Sequence, residues 1–155
     1  MSQLVIDLKK DLKRFKADEH MLGFAGFSLA IAPDRSLDGV LKIASESREG
    51  GGGYLTLTII VDTCSDAAAC ADVERMLGRL GRPQAPLSLG PGFDYAEPFA
   101  PILDDGGALY MGELTLFFKT LDGLEKVIVR RLVLPALEKA LAIAFEPVSW
   151  WDEQG

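Results

Sequence analysis

Between Tyr54 and Asp62 the chain alternates: Leu55, Leu57, Ile59 and Val61 fall on one parity, Tyr54, Thr56 and Thr58 on the other. That period of two is the mark of a half-buried strand, and it obliges the rest of the chain to supply an apolar layer for one face and strand partners for both edges. A partner lies close by. Phe24–Ala32 also alternates, with Phe27, Leu29 and Ile31 on one face and Gly26, Ser28, Ala30 and Ala32 on the other, so its second face tolerates close approach. Pro33-Asp34 makes a turn, Leu37–Ser45 reads as a weaker strand, and the Gly50–Gly53 run makes it a hairpin with Tyr54–Asp62. Four glycines in succession predict a mobile tip, a passive linker or a segment ordered on contact.

Helices supply the apolar layer. Ser2 can cap a first helix running to about Ala17, with Leu4, Leu8, Leu12 and Phe15 on one side and lysines on the other. Ser65-Asp66 opens a second, whose stripe is Ala69, Val73, Met76, Leu77 and Leu80; Gly81 closes it, Arg79 and Arg82 sit near its negative end, and Pro83 stops it. From Pro83 to Gly107 five prolines and four glycines follow no period. So long an irregular stretch is usually functional or disordered, and its aromatics Phe93, Tyr95 and Phe99 argue for an ordered loop that docks. Its charges, Asp94, Glu97, Asp104 and Asp105, have no Lys or Arg to balance them.

Alternation resumes over Ala108–Thr120, with Tyr110, Leu114, Leu116 and Phe118 inward and Glu113, Thr115 and Lys119 outward; Phe117 breaks the pattern, which implies that both faces are partly covered. Asp122-Gly123 is a turn pair. Val127–Leu134, rich in β-branched residues, reads as a strand, with a helix broken at Pro135 as the alternative. Pro135 then opens a final helix carrying Leu137, Leu141 and Phe145, Pro147 ends it, and Trp150 and Trp151 lie on an irregular tail over 147–155. The expectation is therefore a single α+β domain over 1–155, a mixed or antiparallel sheet of about four to five strands with helices packed on it, in the order α-β-β-β-α-(long loop)-β-β-α.

Composition narrows the function. At 155 residues and 48% hydrophobic the chain can bury about 70% of its unfolded surface without disulfides or metals, and no apolar run approaches the roughly 20 residues that span a bilayer. No basic region precedes an apolar stretch at its start, so neither a secretory nor a lipidation signal is expected. The formal charge of −7 argues against tight grip on nucleic-acid backbones. That charge is polarised. Lys9, Lys10, Lys13, Arg14 and Lys16 against Asp7 and Asp11 give residues 1–17 a charge of +3 and leave −10 for the remainder. This is either a solvated helix face or a complement to a neighbouring subunit.

Candidates for chemistry are few. His20 follows Asp18 and Glu19 with no assignable nucleophile, and Cys64 and Cys70 have the spacing of neither a zinc knuckle nor a C-x-x-C motif. Asp62-Thr63-Cys64-Ser65-Asp66 faintly resembles the D-x-S-x-S metal motif of von Willebrand A domains, but Cys64 and Asp66 stand where serines belong, and a helix cap explains Ser65 or Asp66. Gly50–Gly53 lacks the Lys-Ser/Thr ending of a phosphate loop. No catalytic residue, metal or cofactor is expected.

The amphipathic first helix, the hairpin ending in Leu55–Asp62, the helix over Asp66–Leu80 and the returning strand Ala108–Thr120 together resemble tail terminator, or tail-completion, proteins of bacteriophages. The resemblance covers the chain to about Thr120, with Val127–Gly155 as an addition. It implies a non-enzymatic virion protein, assembled in the host cytoplasm, that forms a hexameric ring, caps the tail tube and meets tail-tube and head-completion proteins. An acidic loop suits a ring through which DNA passes without adhesion. Expected interface residues are Lys9, Lys13 and Lys16, the tip Gly50, Gly51, Gly52 and Gly53, and the aromatics Phe93, Tyr95, Phe99, Trp150 and Trp151, with Asp94, Glu97, Asp104 and Asp105 facing a lumen. The same element order also resembles small acidic chaperones of type III secretion, which would place the protein in the bacterial cytoplasm as a dimer holding an extended segment.

Overall fold

The computed structural model describes residues 21–63, 66–78, 80, 89, 92–97, 99–102 and 109–150. Their centre is one antiparallel sheet. β1 (Met21–Ala32), β2 (Arg35–Ser47) and β3 (Gly53–Asp62) form a meander, and β6 (Leu109–Phe118) pairs with β3 along its whole length. β4 (Phe93–Ala96) and β5 (Ala100–Ile102) share the outer edge of β6, and β7 (Ser149–Trp150) adds to the far side of β1. The sheet is thus six strands across, in the order β4-β6-β3-β2-β1-β7, with β5 beside β4 on β6.

Cross-strand pairs put Leu29, Leu41, Ile43, Leu55, Leu57, Leu114 and Leu116, all fully buried, on one face. Two helical segments cover it. α1 (Ala67–Leu77) contributes Ala69, Val73 and Leu77; the second runs through α2 (Glu125–Ile128), a five-residue π-helical stretch (Val129–Val133) and α3 (Leu134–Leu141).

Several sequence expectations need correction. The segment 83–107 is not wholly irregular, because β4 and β5 lie inside it; strands of four and three residues are too short to show a period. The tail expected over 147–155 likewise contains β7. Val127–Leu134 is helical rather than extended: Ile128, Val129, Val133 and Leu134 continue into Leu137 and Leu141 as one buried stripe, and that burial outweighs the weak extended preference of β-branched side chains. Pro135 does not break this helix. The amide of Leu134 reaches back five residues, to the Val129 carbonyl, and a turn widened in this way makes room for a ring that lacks an N–H and would crowd the preceding turn. The helix ends at Leu141, where Ala142 takes a left-handed conformation at φ 54°, so Phe145 lies beyond it and packs edge-on against Phe27 at 5.5 Å.

α1 begins as expected, with the Asp66 carboxylate accepting from the amides of Ala68 and Ala69 at 2.9 and 3.2 Å. It ends at Leu77 with Gly78, earlier than the Gly81 expected, and Gly81 lies outside the described residues. The first helix and His20 also lie outside them. Among the described residues no helix is long and apolar enough to cross a membrane.

Candidate functional site

The β2–β3 tip is built by three glycines, not four. Gly50, Gly51 and Gly52 have φ of 88°, 111° and 75°, whereas Gly53 already belongs to β3 and pairs with Ser47. The Arg48 amide donates to the Gly52 carbonyl at 3.1 Å and the Gly51 amide to the Arg48 carbonyl at 3.2 Å, which gives the expected mobile tip a closed hydrogen-bonded form. A Cβ on Gly52 would lie 2.4 Å from the Phe118 carbonyl oxygen, so the tip sits close against the end of β6.

The same end of the sheet receives β4. Phe93 faces Phe118 and Tyr95 faces Phe117, and Asp94 between them is an extra residue that the ladder skips. Residues two apart on a strand normally share a face; this bulge separates them. Phe93 goes to the core side, edge-on to Phe118 at 5.5 Å, and Tyr95 goes to the open face. There the Tyr95 ring lies flat on Phe117, with centroids 4.4 Å apart and planes 12° apart, and Tyr54 leans on Phe117 from β3 at 5.4 Å. Arg48 places its guanidinium over Phe117 at 5.3 Å and pairs with Asp94 at 3.5 Å. The Tyr54 hydroxyl donates to the Glu46 carboxylate; that bond, then burial, then the carboxylate's charge hold the phenol above its ordinary value. The result is an aromatic ledge rimmed by Glu46, Asp94 and Glu97, all exposed.

The glycine tip, Asp94, Tyr95 and Glu97 are therefore brought together, although 40 or more residues separate the tip from β4 in sequence. Phe93 and Phe99 are not part of the open surface: Phe99 lies over Gly112 and alongside Tyr110, against the core. Trp150 stands at the opposite edge, buried, under Lys126 and Arg130, each 5.5 Å from its ring. Beside it a groove of about 520 Å³ opens between the long helix and residues 145–150, bordered by Arg130, Leu134, Glu138 and Glu146. Glu138 anchors the groove wall by accepting from the Phe145 amide at 2.9 Å. Lys9, Lys13, Lys16, Asp104, Asp105 and Trp151 lie outside the described residues.

Sequence reasoning missed Arg48, Tyr54, Lys126 and Arg130. The irregular Phe117 was the one available signal for the ledge, and the spacing of Arg130, Leu134 and Glu138 at every fourth residue was the one for the groove. As for chemistry, the Asp66 carboxylate is occupied by its cap and by Arg35 at 2.9 Å, and its pKa is lowered by the Ala69 amide first and the Arg35 pair next. Asp62 is buried, Cys70 is a half-buried free thiol on α1, and Cys64 lies outside the described residues. Among the described residues no three His, Cys, Asp or Glu side chains gather in a way that could hold a metal ion.

Comparison with protein-family models, with curated proteins and with solved structures finds no match. A functional reading must rest on the surfaces themselves.

Proposed function

We propose that the protein is a non-catalytic structural subunit that works as a homo-oligomeric ring, in the role the tail-terminator resemblance implies: capping a phage tail tube and joining it to the head. The observation that supports this is the inequality of the two sheet edges. One ends in the acidic aromatic ledge of β4; the other ends in β7 under Lys126 and Arg130, with Arg131 exposed beside them. Two different patches on opposite sides of a subunit favour head-to-tail contacts, which generate a ring when the rotation closes. Its partners would be tail-tube and head-completion proteins, its place the virion after assembly in the host cytoplasm, and its net charge of −7 would let DNA pass without adhesion.

Native mass spectrometry and light scattering test the reading. A closed ring of identical subunits is expected, alone or with tail partners, and a monomer under every condition overturns it. The chaperone reading has one observation in its favour: among the described residues, β1 from Ser28 to Ala32 pairs only with β2, leaving an edge that an extended segment could join. A dimer carrying a bound peptide would decide for it.

A further inference from the structure

We infer that the open face of Tyr95 is the seat of an arginine from a second copy of this chain, and that Arg131 supplies it; this rests on the homo-oligomeric reading above. Tyr95 is 48% exposed although one side of its ring is covered by Phe117, so its opposite side faces outward. Asp94 and Glu97 flank it, and the Glu97 carboxylate makes no ion pair among the described residues. A flat aromatic ring rimmed by carboxylates selects a planar cation, because a guanidinium stacks on the ring while its N–H groups donate sideways. The chain already uses this arrangement internally, with Arg48 over Phe117 and paired to Asp94.

The described arginines point to the source. Arg35 is paired with Asp66, Arg48 with Asp94, Arg75 with Asp72, and Arg130 covers Trp150. Arg131 is exposed and makes no such contact among the described residues. It follows Arg130, which lies over Trp150 of β7, and five strand spacings, about 24 Å, separate β7 from β4, beyond the reach of one side chain. Arg131 of the same copy therefore cannot fill the seat, whereas Arg131 of a neighbour can.

The test reads the concentration at which the assembly half-dissociates, by native mass spectrometry and light scattering, with circular dichroism confirming the fold. Tyr95→Ala, Glu97→Arg and Arg131→Glu should each raise it on the order of tenfold. Glu97→Arg combined with Arg131→Glu should return it toward the wild-type value. An assembly whose midpoint none of the single changes moves, or a double variant no better than its parents, overturns this contact and leaves the ring standing. A wild type that is monomeric at every concentration overturns both.

Discussion

The ring of Phe99 lies across the Cα of Gly112, so close that a Cβ there would come within 1.9 Å of the ring's Cζ. This contact fastens the start of β5 to β6. Gly112→Ala should displace Phe99 and cost about 1–3 kcal/mol as overpacking. Thermal or urea unfolding checks it, and Phe99→Ala in the same background should make the two losses less than additive.

The glycine tip offers a graded series. Gly50 and Gly51 have open space where a side chain would go, so Gly51→Ala pays only for its left-handed backbone, about 1–2 kcal/mol. Gly52→Ala adds a collision with the Phe118 carbonyl and should be the more destabilising of the two in unfolding experiments.

Tyr110 carries a buried hydroxyl with no hydrogen-bond partner among the described residues, and burial, then the charges of Glu74 and Cys70, push its pKa up to about 12. Because the folded value lies above the ordinary value near 10, stability does not vary with this group below pH 10, and ionising the buried phenol costs stability as pH rises from there toward 12. Tyr110→Phe removes an unpaired group, so at neutral pH it should be neutral or stabilising by about 1 kcal/mol. It should also flatten the alkaline decline in melting temperature, and an unchanged decline would place the titration elsewhere.

Asp66 behaves oppositely. Its lowered pKa means that its contribution is present above the unfolded carboxylate value and is lost as pH falls through the folded one. Asp66→Asn, which keeps a capping oxygen but no charge, should hold most of the neutral-pH stability and lose the acid dependence, whereas Asp66→Ala should lower the melting temperature across the range.

The strands β1, β3 and β6 were legible because one buried face imposes a period of two on most of Leu55–Val61 and of Tyr110–Phe118, despite Ile60 and Phe117. β4 was not, since its bulge at Asp94 sends Phe93 and Tyr95 to opposite faces and destroys the only pattern a four-residue strand could have. Val127–Leu134 misled because β-branching is a local preference, whereas the outcome was set by a stripe that continues past Pro135. For the candidate site, Tyr95 and the glycine tip were separately visible, but their meeting was not: it depends on β6 lying between β3 and β4, a non-local pairing that no local pattern encodes.

The π-helical stretch has a consequence for phase. Val129, Val133, Leu137 and Leu141 recur every fourth residue, and on an α-helix with about 100° per residue each such step overshoots a full turn by 40°. Three uncorrected steps would carry Leu141 a third of the way round the helix from Val129. One widened turn absorbs part of that drift at its start, so that a helix of this length can keep all four side chains aimed at a sheet that does not follow it round.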